Sequence, residues 1–105
     1  MGLFGSVSSK QVDEFARSLV HKLAKQYPPE HERDGVRKLS PKRFTAILDE
    51  TFNKAAEFKK QHKLGVYKKA RLGNTFRWEL QDLGYSDNFV KTITEALIIH
   101  IAKKD

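Results

Sequence analysis

Apolar residues recur every three or four positions along each long stretch of this chain, and no segment sustains an alternation every second position. That spacing lines one face of an α-helix and does not suit a strand. It predicts an all-α fold: a single-domain bundle of four to five helices over residues 1–105, with 1–7 as a flexible start. The length of 105 residues suits one domain, and a chain of that size buries about 65% of its unfolded surface. Leu, Ile, Val and Phe supply 28 of the 105 residues, above the roughly 20% below which chains tend to stay disordered.

Local signals place the helices. Ser8 and Gln11 have capping-box spacing, and Val7 and Val12 stand at hydrophobic-staple positions. Asp13 and Glu14 are expected in the first turn, where the helix dipole favours anions. Val12, Phe15, Ala16, Leu19, Leu23 and Tyr27 then form one stripe, which Pro28-Pro29 ends. Residues 28–39 read as a polar connection, either a loop or a short turn at Asp34-Gly35. Ser40, followed by Pro41, starts a second helix, with Leu39 stapled to Phe44. Its face is Phe44, Ile47, Leu48, Thr51, Phe52, Ala55 and Phe58, and it runs to about His62.

Two readings fit residues 64–84. Gly73-Asn74 suggests a break with Asn74 as a new cap, whereas Leu72, Phe76, Leu80 and Leu83 keep helical spacing across it. Gly84 suits the position just past a helix end. The last helix starts at Ser86, with Tyr85 and Val90 as its staple. Its stripe is Phe89, Val90, Ile93, Leu97 and Ile101. Ile98 and Ile99 fall off that stripe, so this half is apolar nearly all round. Such a helix is expected to be central in the bundle or covered by a second chain. Lys103 and Lys104 suit its C-terminal dipole.

Several chemistries lack their residues. There is no Cys, which removes disulfides, thiolate metal sites and cysteine nucleophiles. His21, His31, His62 and His100 pair with no other ligand at metal-site spacing, so no metal is expected. His21 projects to solvent, and His62 and His100 project onto apolar faces. The adjacent carboxylates Asp13-Glu14 and Asp49-Glu50 point about 100° apart on a helix and do not converge on a substrate. The glycines match no phosphate-cradling or dinucleotide-binding loop. No catalytic residue, cofactor or small-molecule substrate is expected. The longest apolar run, Ala96 to Ile99, is far short of a membrane span. The N-terminus lacks a basic region before a long apolar stretch, which argues for a cytoplasmic protein.

The net charge of +7 is not spread evenly. Lys54, Lys59, Lys60, Lys63, Lys68, Lys69, Arg71 and Arg77 face one acid, Glu57, within residues 54–77, and the rest of the chain is balanced. A concentrated excess points to an anionic partner, although a solvated lysine-rich face has the same composition. Phe58, Tyr67, Phe76 and Trp78 are interleaved with the charges. Phe58 and Phe76 lie on core stripes. Tyr67 and Trp78 are free to stack on bases, unless Trp78 packs against another helix. The expected function is a non-enzymatic nucleic-acid-associated module. Lys59, Lys60, Lys63, Lys68, Lys69, Arg71 and Arg77 would contact phosphates, and Tyr67 and Trp78 would contact bases. The alternative is a helical protein-interaction domain whose partner is another protein or a second copy of itself, the latter through Ile98 and Ile99 of the C-terminal helix.

Three weaker patterns remain. Lys59-Lys60 and Lys68-Lys69 loosely resemble a bipartite nuclear import signal. Leu83-Gly84-Tyr85-Ser86, with Val90 and Ile93, resembles part of the helix-turn-helix pattern of bacterial regulators over residues 76–93. The likeness implies that Ser86, Asp87, Asn88, Lys91 and Thr92 face a major groove. It departs at Leu80, where the pattern has a small residue, and at Glu79, where it has an apolar one. Met1-Gly2, with Ser6, fits an N-myristoylation pattern, which together with a basic patch would supply two membrane-anchoring signals.

Overall fold

Three serines start three of the long helices. Ser8, Ser40 and Ser86 each stand in extended backbone and accept a hydrogen bond from the amide three residues on. In a computed structural model that describes residues 7–34 and 39–103, these caps begin α1 (Ser9–Gln26), α3 (Pro41–His62) and α5 (Asp87–Ala102). The short α2 (Pro29–Asp34) and the long α4 (Val66–Leu83) complete the set, with no strand among the described residues. The expected all-α bundle is therefore the fold. Ser8 and Gln11 form the full capping box, with bonds of 2.9 and 3.1 Å. Val7 and Val12 are both buried beside it, so Val7 is a packed staple and not part of a flexible start.

Two local expectations change and two open alternatives are decided. The polar stretch after Tyr27 contains α2, because Pro29 at a first helical position pre-sets the backbone angle that a helix needs. Gly35 lies outside the described residues. Residues 66–83 are one helix with no break at Gly73. A Cβ on Gly73 would sit 3.1 Å from Cγ1 of Ile98, so this glycine lets α5 approach α4 closely. No acid lies in the first turn of α1, and Asp13 is used elsewhere, as described below. Finally, α5 is not central. Its stripe of Val90, Ile93, Leu97 and Ile101 is buried, but Ile98 and Ile99 are 44% and 62% exposed.

The long helices pack in the cyclic order α1, α4, α5, α3. Thus α3 and α4, joined by only Lys63 to Gly65, lie diagonally across the bundle. Lys63 turns the chain with φ 50°, and Gly84 ends α4 with φ 102°, the conformation that glycine adopts at least cost. Contacts fix the directions. Asp13 meets Arg71 and Arg17 meets Glu79, so α1 and α4 run parallel. Phe15 stacks on Phe58 and Tyr27 meets Phe44, so α1 and α3 run antiparallel. Phe52 meets His100 and Lys59 meets Lys103, so α3 and α5 run parallel. The starts of α1 and α4 and the ends of α3 and α5 therefore gather at one end of the molecule.

The core is shared by all four long helices. Val12, Ala16, Val20 and Leu23 of α1, Ala55 of α3, Leu72, Phe76 and Leu80 of α4, and Leu97 and Ile101 of α5 are almost wholly inaccessible. At the opposite end, the Ser86 N–H and hydroxyl both donate to the Glu32 carboxylate, at 2.9 and 2.6 Å. The Tyr85 hydroxyl donates to the Tyr27 carbonyl. These bonds tie α2 and the end of α1 to the start of α5. Burial raises the Tyr85 phenol well above its usual range.

Candidate functional site

With Leu72, Phe76 and Leu80 facing the core, helical geometry leaves Tyr67, Arg71, Asn74 and Trp78 on the outward side of α4. Their spacing of four, three and four residues keeps them on one face. Tyr67 is 64% and Trp78 56% exposed. At 1.5 Å per residue they stand about 16 Å apart, three turns along the same helix. The packing of Trp78 against another helix, the ordinary fate of a tryptophan, does not occur. Its ring instead lies beside its own neighbour, with the Arg77 guanidinium 5.0 Å from its centre.

Arg71 is held between the two rings. Its Nε and Nη2 donate to the Asp13 carboxylate at 2.9 and 2.8 Å, and its Nη1 donates to the Tyr67 hydroxyl at 3.0 Å. Thr75 adds a third donor to Asp13 at 2.8 Å. The hydrogen bonds from Arg71 are the chief cause that lowers the Asp13 carboxyl below its usual range, against a smaller opposing effect of burial. Arg71 is thus fixed in direction, and much of its charge is answered.

Lys59 also departs from the expected phosphate set. It is 7% exposed, and its ammonium donates to the Lys103 carbonyl at 2.8 Å, past the end of α5. It serves the packing of α3 on α5. Lys60 and Lys63 are exposed at the end of α3, and Lys68 and Lys69 are half-buried in the first turn of α4. No carboxylate among the described residues engages these four or Arg77. The structure therefore brings Lys60, Lys63, Lys68, Lys69 and Tyr67 together at one end. Arg77 and Trp78 lie farther along α4, with Arg71 between.

Two features were not legible in the sequence. Arg17, Ser18, His21, Lys22 and Lys25 line a shallow basic depression on α1, beyond the segment that holds the charge excess. Glu79 of α4 lies 3.3 Å from both Arg17 and His21. The second is a groove of about 830 Å³ between α4 and α5. Ile98 lines it, but Ile99 does not, so these two isoleucines serve different faces. The only hint in the sequence was the placement of Ile98 off the α5 stripe.

The partial likeness to a helix-turn-helix does not extend to geometry. Gly73 and Ile98 meet about ten residues from the corner between α4 and α5, so the two helices lie side by side. A helix-turn-helix crosses its pair at a steep angle. Ser86 is committed to Glu32 and to its own cap, and Asp87 and Lys91 line the groove.

Two of the histidines lie against aromatic rings of α3. His62 lies against Phe58 at 4.5 Å, and His100 lies against Phe52 with Nδ1 3.0 Å from the Ala96 carbonyl. Among the described residues no three His, Cys, Asp or Glu side chains come together as a metal site. No helix there is long and apolar enough to cross a membrane. The myristoylation pattern at Met1–Ser6 lies outside the described residues, as does Lys104. Comparison with protein-family models, with curated proteins and with solved structures finds no match to this chain.

Proposed function

We propose that this protein binds a single strand of nucleic acid along the outward face of α4, as a cytoplasmic, non-enzymatic module. The observation that carries this reading is the pair of exposed rings, Tyr67 and Trp78, three turns apart on one helix face. Lysines with no carboxylate partner among the described residues stand at one end of that face. Exposed aromatic rings stack on unpaired bases whatever the sequence, and each stacked base contributes about 1–3 kcal/mol. Duplex bases are already stacked and offer no such surface, so a single strand suits this face better. Lys60, Lys63, Lys68 and Lys69 hold phosphates. Arg77 and the preset Arg71 guide the strand between the rings.

The test is fluorescence anisotropy of labelled single- and double-stranded DNA and RNA over a salt series. Single strands should bind more tightly, with log K falling linearly as log salt rises. Changing Lys60, Lys63, Lys68 and Lys69 to Ala should flatten that line. Trp78→Ala should weaken binding by about 5- to 150-fold, the equivalent of one lost stack, and leave the slope unchanged. The chain has one tryptophan, so its quenching on binding reports stacking directly. Absence of binding at low salt overturns the proposal.

A further inference from the structure

We propose that the groove between α4 and α5 is a self-association face whose occupant is a second copy of this chain. The inference does not rest on the reading of the outward face of α4, although Lys69 and Arg77 border both surfaces.

Its walls are apolar where α4 begins and α5 ends. Val66 is 82% and Ile98 44% exposed, and Ala70 and Ala102 are exposed beside them. Gly73 lies at the base, where the missing side chain lets Ile98 settle onto α4. An apolar face formed by two antiparallel helices is shaped to pack against a second helical pair.

Charge selects the occupant. The groove carries Lys69, Arg77 and Lys91 against Asp87 and Glu95, close to balance on a chain of net charge +7. Two copies can bring this face together with little net repulsion across the groove itself, whereas the excess charge of each copy sits at its lysine-rich end. An acidic foreign partner would be drawn to that end instead.

Register supports the same choice. Ile98 opposite Gly73 aligns the two helices. Arg77 is four residues along α4 and Glu95 three residues back along α5, so they stand at heights only about 1.5 Å apart on opposite walls. Neither has an oppositely charged partner among the described residues. A twofold axis parallel to the helices lays α4 of one copy over α5 of the other. Each Arg77 then stands level with Glu95 of the other copy, a self-complementary contact of the kind that closes a dimer. An axis across the helices, level with Gly73, would instead lay α4 on α4 and set Lys69 of each copy against Arg77 of the other.

Sedimentation equilibrium of the full chain over a wide concentration range tests this. The wild type should pass from the monomer mass of 12.1 kDa to twice that value. Ala70→Glu should weaken the dimer by at least about tenfold, as should Arg77→Glu alone. Adding Glu95→Arg to Arg77→Glu should restore it, and Ile99→Glu, outside the groove, should leave it unchanged. Circular dichroism on each variant separates loss of association from loss of fold. A wild type that stays monomeric at every concentration overturns the proposal and leaves the groove to a foreign helix or to none. Folded Ala70→Glu that still dimerises, a double variant as weak as the single, or a dimer lost in Ile99→Glu would each also overturn it.

Discussion

Asp13 accepts from Arg71 twice and from Thr75 once, so its ionised form is favoured by folding. The folded pKa lies below the ordinary value of 3.8. The stabilisation is therefore complete above the unfolded pKa and is lost as pH falls through the folded one. Asp13→Asn should lower thermal stability at neutral pH, and its difference from the wild type should close as pH falls below 3.8. Melts at a series of pH values check this. The same residue shows why part of the candidate site was hidden. Arg71 counts as a positive charge in composition, but the acid that answers it is 58 residues away in the chain. Lys59 is hidden for a similar reason: one acceptor of its ammonium is a backbone carbonyl at Lys103, which no pattern of side chains records.

At the level of the element, what was legible was local. Ser8 with Gln11, Ser40 with Pro41, and Ser86 set their helix starts through contacts no more than three residues away, so spacing alone reveals them. Gly73 was ambiguous because its reason is distant. Glycine in a helix normally costs about 0.8–1.0 kcal/mol relative to alanine, but here it admits Ile98. Gly73→Val should therefore destabilise the fold by about 1–3 kcal/mol through overpacking. In Gly73→Ala the gain in helix propensity should offset most of the crowding, because Ile98 is half-exposed and can yield. Chemical denaturation of the two variants distinguishes this from a propensity effect, under which both would stabilise. Residues 28–34 were misread because a proline pair that stops one helix can begin the next.

At the scale of the molecule, the charge excess was legible as a segment but not as a surface. Folding divides it among the half-buried Lys54, the buried Lys59, the answered Arg71, Arg77 farther along α4, and four lysines gathered at one end. That end should repel itself at low ionic strength. Added salt should raise the melting temperature of the wild type by a few degrees, since screening lengths shrink to about 10 Å at 0.1 M. The variant with Lys60, Lys63, Lys68 and Lys69 changed to Ala should respond less in the same scanning-calorimetry series. The diagonal placement of α3 and α4 has a consequence of another kind, one of timing. Among these five helices α1 is made before the others, yet the partner with which it shares Asp13–Arg71 and Arg17–Glu79 is made some 60 residues later. At about 5–20 residues per second of synthesis, the apolar stripe of α1 waits roughly 3–12 s for α4 to emerge. Throughout that interval a nascent chain offers Leu19 and Leu23 to whatever chaperone stands at the ribosome exit.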